Sequence, residues 1–475
     1  MLSSLFPYGL RSDNRSPVLT EQTPIGKQSL PKNRLLRILG VTFGVAVAIG
    51  GTIGIGILRM PGVIAAQLQN TGLIITVWVI GGLYAFAGAN TYAELGTMLP
   101  LDGGPYVFAR KAYGEFGGFL VGWSDWLLRT SSMTYLAVAL SEYASVLFSF
   151  PSGAITAVAI AVLIFFTAFH WLGLRVASWA QNMLSFFKVL AFGVIIGSCF
   201  FFAHRSHSPA APSPLLHSNP MLLFAAIALA FQNILGTYSG WHAPVYFSEE
   251  NKDPATSIPR SLFTGVGLIT AIYVLFNLAM LYALPLSKLS GSKLAAATAA
   301  QEIFGGATSQ IVTAVALISL VGIINASFLF TPRVMYALSR DHLFSSRGAT
   351  LNAAGTPTVA LLVTASVAIA LTAGSFEKLF ALTAFLSVLV DAATFATLFI
   401  LRRREPALAR PFRARGYPLV PAIVLVGAIL LLAAFIISST QNSFYAVTGL
   451  AVSYPVYLMV KALVKKQASN TRSDE

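Results

Sequence analysis

Apolar stretches of about 20 residues return along the whole of this chain, each long enough to cross a hydrocarbon core of roughly 30 Å. No other feature narrows the possible folds as much. Inside lipid every backbone N–H and C=O has to find its partner within the protein, so runs of this length belong in helices. Apolar residues make up 56% of the 475 positions and charged residues only 10%, against a soluble norm of about 25% charged. The expected fold is an all-α membrane protein with twelve spans and no separate soluble domain. The spans are expected near 40–66, 72–99, 117–148, 153–172, 179–203, 220–247, 261–284, 307–338, 356–374, 378–401, 417–438 and 442–463. Short amphipathic stretches join some of them, at Tyr106–Tyr113 and Leu294–Phe304.

A net charge of +14 invites a nucleic-acid reading, which the distribution of charge rejects. Most of the 31 basic residues fall on one side of the expected spans: Arg11 to Arg37, Arg110, Lys111, Arg175, Lys252, Arg260, Arg333, Arg340, Arg347, the loop 402–416 and the C-terminus. Only Arg205, Lys288, Lys293 and Lys378 fall on the other, leaving Arg59, Arg129 and Lys188 within spans. That bias is the positive-inside rule. It predicts an even number of helices with both termini in the cytoplasm, in the plasma membrane or, in a bacterium, the inner membrane. Residues 1–38 are polar and basic and lack the apolar core of a cleavable signal peptide; they and 465–475 read as cytoplasmic tails. The single cysteine, Cys199, lies in an apolar run and excludes an intrachain disulfide.

Two spans carry glycine-rich interruptions. The first contains Gly50-Gly51-Thr52-Ile53-Gly54-Ile55-Gly56, the sixth Gly236-Thr237-Tyr238-Ser239-Gly240-Trp241, and each is followed by a short apolar stretch ending near Pro61 or Pro244. Glycine stabilises a helix poorly, and unwound backbone at membrane depth is tolerated where it lines a cavity or packs in protein. Close helix packing through small residues is the competing reading. The pairing favours the first: the clusters stand five spans apart, so the second repeat is inverted, and matched interruptions in two halves point to a transporter's midplane site. Amides freed at a half-helix N-terminus suit a carboxylate, and carbonyls freed at a C-terminus suit an ammonium group. Two such breaks suit a zwitterion.

These segments also resemble the amino-acid/polyamine/organocation superfamily along nearly the whole chain. Gly51 to Ile57 is similar to its first-helix signature. Tyr92-Ala93-Glu94-Leu95-Gly96 with Gly103-Gly104-Pro105-Tyr106 is similar to its second-helix motif. Ser239-Gly240-Trp241, Glu249 to Pro254 and Ile258-Pro259-Arg260 match its sixth helix and inner loop, and Arg333 to Asp341 looks like the end of its eighth helix. Leu128 to Ser132 and Tyr238 to Trp241 look most like the L-type exchangers of neutral amino acids and their bacterial relatives. The resemblance implies an inverted five-plus-five repeat of the leucine-transporter type with helices 1 and 6 broken. Residues 39–401 would form the transport core, and 402–464 the basic loop and helices 11 and 12.

It further implies a secondary transporter of amino acids, acting as exchanger or proton-coupled symporter. Substrate would sit on Thr52, Ile53, Gly54, Gly56, Ser132, Gly236, Thr237, Tyr238, Ser239, Gly240 and Trp241. Lys188 matches a lysine whose ammonium takes the place of sodium and binds carbonyls of the broken first helix, which implies sodium-independent transport; snorkelling to the inner surface is the competing reading. Gly236 stands where relatives often have a gating aromatic, His242 where they usually have Asn, and Arg59 where they have an apolar residue. The relatives' ancillary subunit is tethered through an outer-loop cysteine that Cys199 does not match, so no disulfide-linked partner is expected.

The remaining ionisable residues within spans are functional candidates because an uncompensated one is costly. Asp125 and Arg129 stand i, i+4 and suit a structural ion pair. Asp391 suits a proton carrier, a partner for a buried base, or a wall of an inner cavity. Glu94, Glu249, Glu250, Arg260 and Arg340 suit either an inner gate, centred on Glu94, Glu250 and Arg340, or solvated surface pairs. No metal or cofactor is expected: His170, His204, His207, His217, His242 and His342 are scattered without ligand spacing. A channel would show a filter or charged ring. A carrier of polyamines or other organic cations, and a transporter-derived nutrient sensor, remain as alternatives.

Overall fold

The computed structural model of the chain describes residues 35–203, 220–292, 294–305, 308–374, 376–438, 448 and 450–463. The tail 1–34, the loop 204–219 and the tail 465–475 lie outside the described residues. Among those described the fold is helical, with two isolated β-bridges and no strand.

The first apolar run is two helices, α1 (Val41–Thr52) and α2 (Ile55–Leu68), bent by 48° across Ile53 and Gly54. α3 (Thr71–Met98) starts on an Asn70 cap that accepts the Leu73 amide at 3.0 Å. α4 (Pro105–Phe148) has proline in its first turn, where no intrahelical donor is lost, and kinks at Gly114 with φ 82°. The amphipathic stretch expected at Tyr106–Tyr113 is a short helical limb set apart from the third span by that kink. Then come α5 (Ile155–Trp171), α6 (Leu174–Phe202), α7 (Pro220–Tyr238), α8 (Pro254–Ala283), the short α9 (Ala295–Phe304) and α10 (Thr308–Arg340). α11 (Thr358–Leu371), α12 (Phe376–Arg404), α13 (Leu419–Ser438) and α14 (Leu450–Leu463) complete the bundle. Arg402, Arg403 and Arg404 occupy the last turn of α12, where cations favour the carbonyl end of the helix dipole.

Eight described helices are long and apolar enough to cross a membrane, or nine with the α1–α2 pair taken as one span. The expected twelve exceeds this because α11 and the described part of α14 have fewer residues than a full span needs, and polar residues, including buried Asp125 and Arg129, interrupt the apolar run of α4.

α1, α2, α3, α7 and α8 pack as one group, and α4, α5, α10 and α11 as a second; α6 lies against α1, α8 and α10, while α12 joins α4 to α3 and α13. α10 is central, with 67% of its most apolar window buried, against 17% for α13. Phe165, Trp179, Phe186, Phe201 and Ile437 remain exposed on the periphery, as a lipid-facing surface requires. Ahead of α1, Leu39 pairs in parallel with Asn251 beyond the sixth-span break: its amide donates to Glu250 O and its carbonyl accepts from Lys252 N, both at 3.0 Å.

Candidate functional site: two meeting breaks

α1 stops because Ile53 (φ −76°, ψ 108°) and Gly54 (φ −142°, ψ −149°) leave helical geometry, which frees carbonyls at its C-terminus. Lys188 meets them. Its Nζ donates to Ile53 O at 2.5 Å and to Gly50 O at 3.2 Å, and the side chain is fully buried. Lys188, Ser185 and Gln181 share one face of α6. Ser185 Oγ donates to Ala46 O at 2.6 Å and accepts from Gln181 Nε2 at 3.0 Å. Asn325 Nδ2 donates to Gln181 Oε1 at 2.8 Å, and Asn325 Oδ1 stands 3.1 Å from His170 Nε2. A polar seam therefore runs behind α1.

The second break follows Tyr238. Gly240 takes φ +114°, and a Cβ there would collide with the carbonyl of Gly51. The two interruptions thus touch backbone to backbone, and the chain resumes as a single 3-10 turn, Ala243–Phe247. Tyr273 on α8 joins them: its hydroxyl lies 3.1 Å from Thr52 O and 3.0 Å from Thr237 O, one donor shared by both breaks. Thr52 Oγ1 is buried without a partner. Gly56 faces the Thr237 side chain, and Gly236 is exposed with open space where a side chain would stand.

The structure therefore brings together Thr52, Ile53, Gly54, Gly56, Thr237, Ser239, Gly240 and Lys188. Others point elsewhere. Tyr238 donates to Trp78 O at 3.1 Å and packs on Tyr273, inside the helix core. The Ser132 hydroxyl donates to Leu128 O of its own helix at 2.9 Å. Trp241 is buried edge-on to Tyr92, with centroids 5.2 Å apart. Arg59 is exposed one turn beyond the first break.

Beneath the sixth-span break lies a buried polar block. Arg129 Nε donates to Asp125 Oδ1 at 2.8 Å and to the Tyr246 hydroxyl at 3.0 Å, and Tyr246 donates to Asp125 Oδ2 at 2.8 Å. Arg129 Nη2 is 2.7 Å from His242 Nε2. A guanidinium only donates, so Nε2 accepts and the imidazole proton sits on Nδ1, which is buried without a partner among the described residues. His242 stacks on Tyr92 at 5.1 Å, and Tyr92 donates to Asp391 Oδ1 at 2.8 Å.

The three expected inner-gate residues are not partners of one another. Glu94 is fully buried and accepts from Arg402 at 2.9 and 2.5 Å and from the Ala414 amide at 2.6 Å, so it anchors the basic loop. Glu250, also fully buried, takes Arg333 at 2.6 and 2.8 Å. Arg340 pairs with Glu249 at 3.0 Å, and Arg110 with Asp341 at 2.5 Å. Asp102, in the loop before α4, accepts the Glu249 amide at 2.7 Å; burial, with Glu250 beside it, pushes its carboxyl up from the usual carboxylate range. Full burial removes Glu94 and Glu250 from the solvated-pair alternative.

Tyr273, Tyr92, Asn325 and Arg402 are the site residues that sequence reasoning missed. Gln181 had a signal: with Ser185 and Lys188 it makes an i, i+4, i+7 polar stripe on a largely apolar helix.

Comparisons with known proteins agree over nearly the full length. The sequence pattern of the family described as Amino acid permease matches residues 39–460. The serine/threonine exchanger SteT of Bacillus subtilis is 26% identical over 443 residues, covering 92% of this chain and 99% of that protein. The b(0,+)-type amino acid transporter 1 of Mus musculus is 27% identical over 435 residues, covering 90% and 87%. The Asc-type amino acid transporter 1 of Mus musculus is 30% identical over 418 residues, covering 85% and 77%. With breaks at the same two places that carried the resemblance, this chain belongs to the amino acid permease family, among relatives of the L-type exchangers.

Proposed function

We propose that this chain carries amino acids across the plasma membrane by alternating access, as an exchanger or a proton-coupled symporter that does not use sodium. The observation that carries the reading is the meeting of the two breaks: Gly240 against Gly51, with Tyr273 bonded to both and the Lys188 ammonium on the freed carbonyls of α1. Freed backbone dipoles of both signs then face one locus, which suits a molecule carrying an ammonium and a carboxylate. Relatives named as amino acid exchangers and transporters, aligned end to end, support the same reading.

The architecture proposed with it is twelve helices: residues 39–401 as an inverted five-plus-five repeat and 402–464 as the basic loop with two further helices. The two packing groups support the repeat, since each draws on both halves of the chain. The end carrying the basic loop is taken as cytoplasmic, with both termini there. The inner gate is then Glu250–Arg333, Glu249–Arg340 and Arg110–Asp341, while Glu94 holds the loop. Cys199 is buried in α6, which supports a carrier without a disulfide-linked subunit.

Uptake of radiolabelled amino acids into proteoliposomes is the test. Saturable flux that unlabelled amino acids compete is expected, unchanged when choline replaces sodium. An ammonium and a sodium ion in one oxygen-lined pocket repel each other strongly at low effective dielectric, so a steep loss in choline would refute the sodium-replacing role of Lys188. Flux of polyamines alone would favour the organic-cation reading.

A further inference from the structure

The buried charges of this bundle are nearly all accounted for. Arg129 has Asp125 at 2.8 Å, Arg333 has Glu250 at 2.6 Å, and Glu94 has Arg402 at 2.5 Å. Lys188 has the carbonyls at the end of α1, whose helix dipole supplies compensating negative charge. Asp391, partly buried in α12, has no such counter-charge. Among the described residues its one hydrogen bond is from the Tyr92 hydroxyl at 2.8 Å, and no basic side chain pairs with it. The charges acting on it are Arg129 and Asp125, which already neutralise each other; the other ionisable groups facing it, Tyr92 and Tyr84, are phenols.

Asp391 also keeps access that its neighbours lack: it is only partly buried, while Val390 and Ala392 are buried. Ser387 stands one helical turn earlier on the same face of α12, and its Oγ lies 3.3 Å from Ser239 Oγ in the sixth-span break. One turn before Ser239, Gly236 leaves open space. A polar strip therefore leads from the break over Ser239 and Ser387 to an unpaired carboxylate. The turn between Ser387 and Asp391 rises about 5.4 Å, comparable to the reach of a basic side chain's aliphatic stem.

We propose that Asp391 is the side-chain subsite of the carrier and takes the cationic end of a basic amino acid such as lysine, ornithine or arginine. The inference rests on the reading that the two breaks hold the backbone part of an amino acid. The ligand's ammonium or guanidinium then supplies the counter-charge that the protein itself does not provide. Ser387, one turn from the carboxylate, accepts a hydrogen bond from the ligand's cationic head, and the absence of a side chain at Gly236 leaves room for the stem.

The test uses the full-length carrier in proteoliposomes, with lysine, ornithine, arginine, serine and leucine as competitors. Thermal melting of each variant reports on folding. The basic amino acids are expected to compete in the native carrier. In Asp391→Asn the affinity ratio of basic to neutral competitors should fall about 100-fold, the order of losing one partner of a desolvated charge pair. Asp391→Glu should hold that ratio within a few-fold, and Ser387→Ala should lower it several-fold without touching the carboxylate. An unchanged ratio in Asp391→Asn overturns the proposal. So does loss of pH dependence without a change in selectivity, which would make Asp391 a proton site. Competition by neutral amino acids alone sinks the subsite and leaves the transport reading standing; no amino acid flux at all sinks both.

Discussion

The two breaks are built differently although their sequences look alike. At the first, two residues leave helical geometry and a new α-helix resumes at once, 48° off axis. The carbonyls it frees are held by an ammonium from a neighbouring helix. At the sixth, α7 does not resume as an α-helix: a turn with Gly240 at φ +114° leads to one 3-10 turn. That break is held by backbone contact with the first and by the shared Tyr273 hydroxyl. One interruption is pinned by charge, the other by shape. A glycine can therefore be indispensable in one and replaceable in the other.

Alanine at each break separates the two most sharply. Gly240→Ala forces a Cβ into the Gly51 carbonyl at a positive φ, and strained backbone of this kind costs about 1–3 kcal/mol before any collision. Uptake should fall more than about 100-fold, with a lower melting temperature. Gly54→Ala meets only the tip of the Ile323 side chain at φ −142°, so it should stay within about tenfold of native, as a moderate core insertion does. Equal losses in the two variants would erase the distinction.

The charge pinning is probed by Lys188→Met, which keeps the stem and removes the ammonium. Two buried carbonyls lose their donor, and an unsatisfied buried acceptor costs about 1–3 kcal/mol. A loss of uptake of about 30-fold is expected. Native uptake in this variant would mean that the first break holds its geometry by itself. Tyr273→Phe is the mildest change, and it too reaches both breaks. Removing one hydrogen bond worth about 1 kcal/mol should lower uptake roughly fivefold, with melting little altered; no change in uptake would show that the hydroxyl is dispensable to both.

What the sequence made legible follows the physics of single residues. Glycines at 50–56 and 236–240 announce themselves because nothing else in an apolar span excuses them, and Lys188 does so because lipid makes a lone ammonium costly. Partners are another matter. Glu94 reads as an inner-surface charge, yet its guanidinium stands 308 positions away at Arg402, a pairing that only the packing of α3 beside α12 decides. Tyr273 and Tyr92 sit in apolar helices, where a tyrosine is equally at home as core; their roles depend on the rotational setting of α8 and α3. Asp391 was visible as an anomaly, but its isolation from every described base emerges only in three dimensions.

The parallel bridge ahead of α1 has a mechanical consequence. Two main-chain hydrogen bonds join Leu39 to Glu250 and Lys252, so the start of the first interrupted span and the far end of the sixth are spliced into one lever. Such a splice does not depend on the side chains of the residues it joins. If the inner mouth opens, the two ends swing about a common hinge, and a pathway in which only one of them yields has to break backbone pairing first. At the base of the bundle the machine has one joint where the chain trace suggests two.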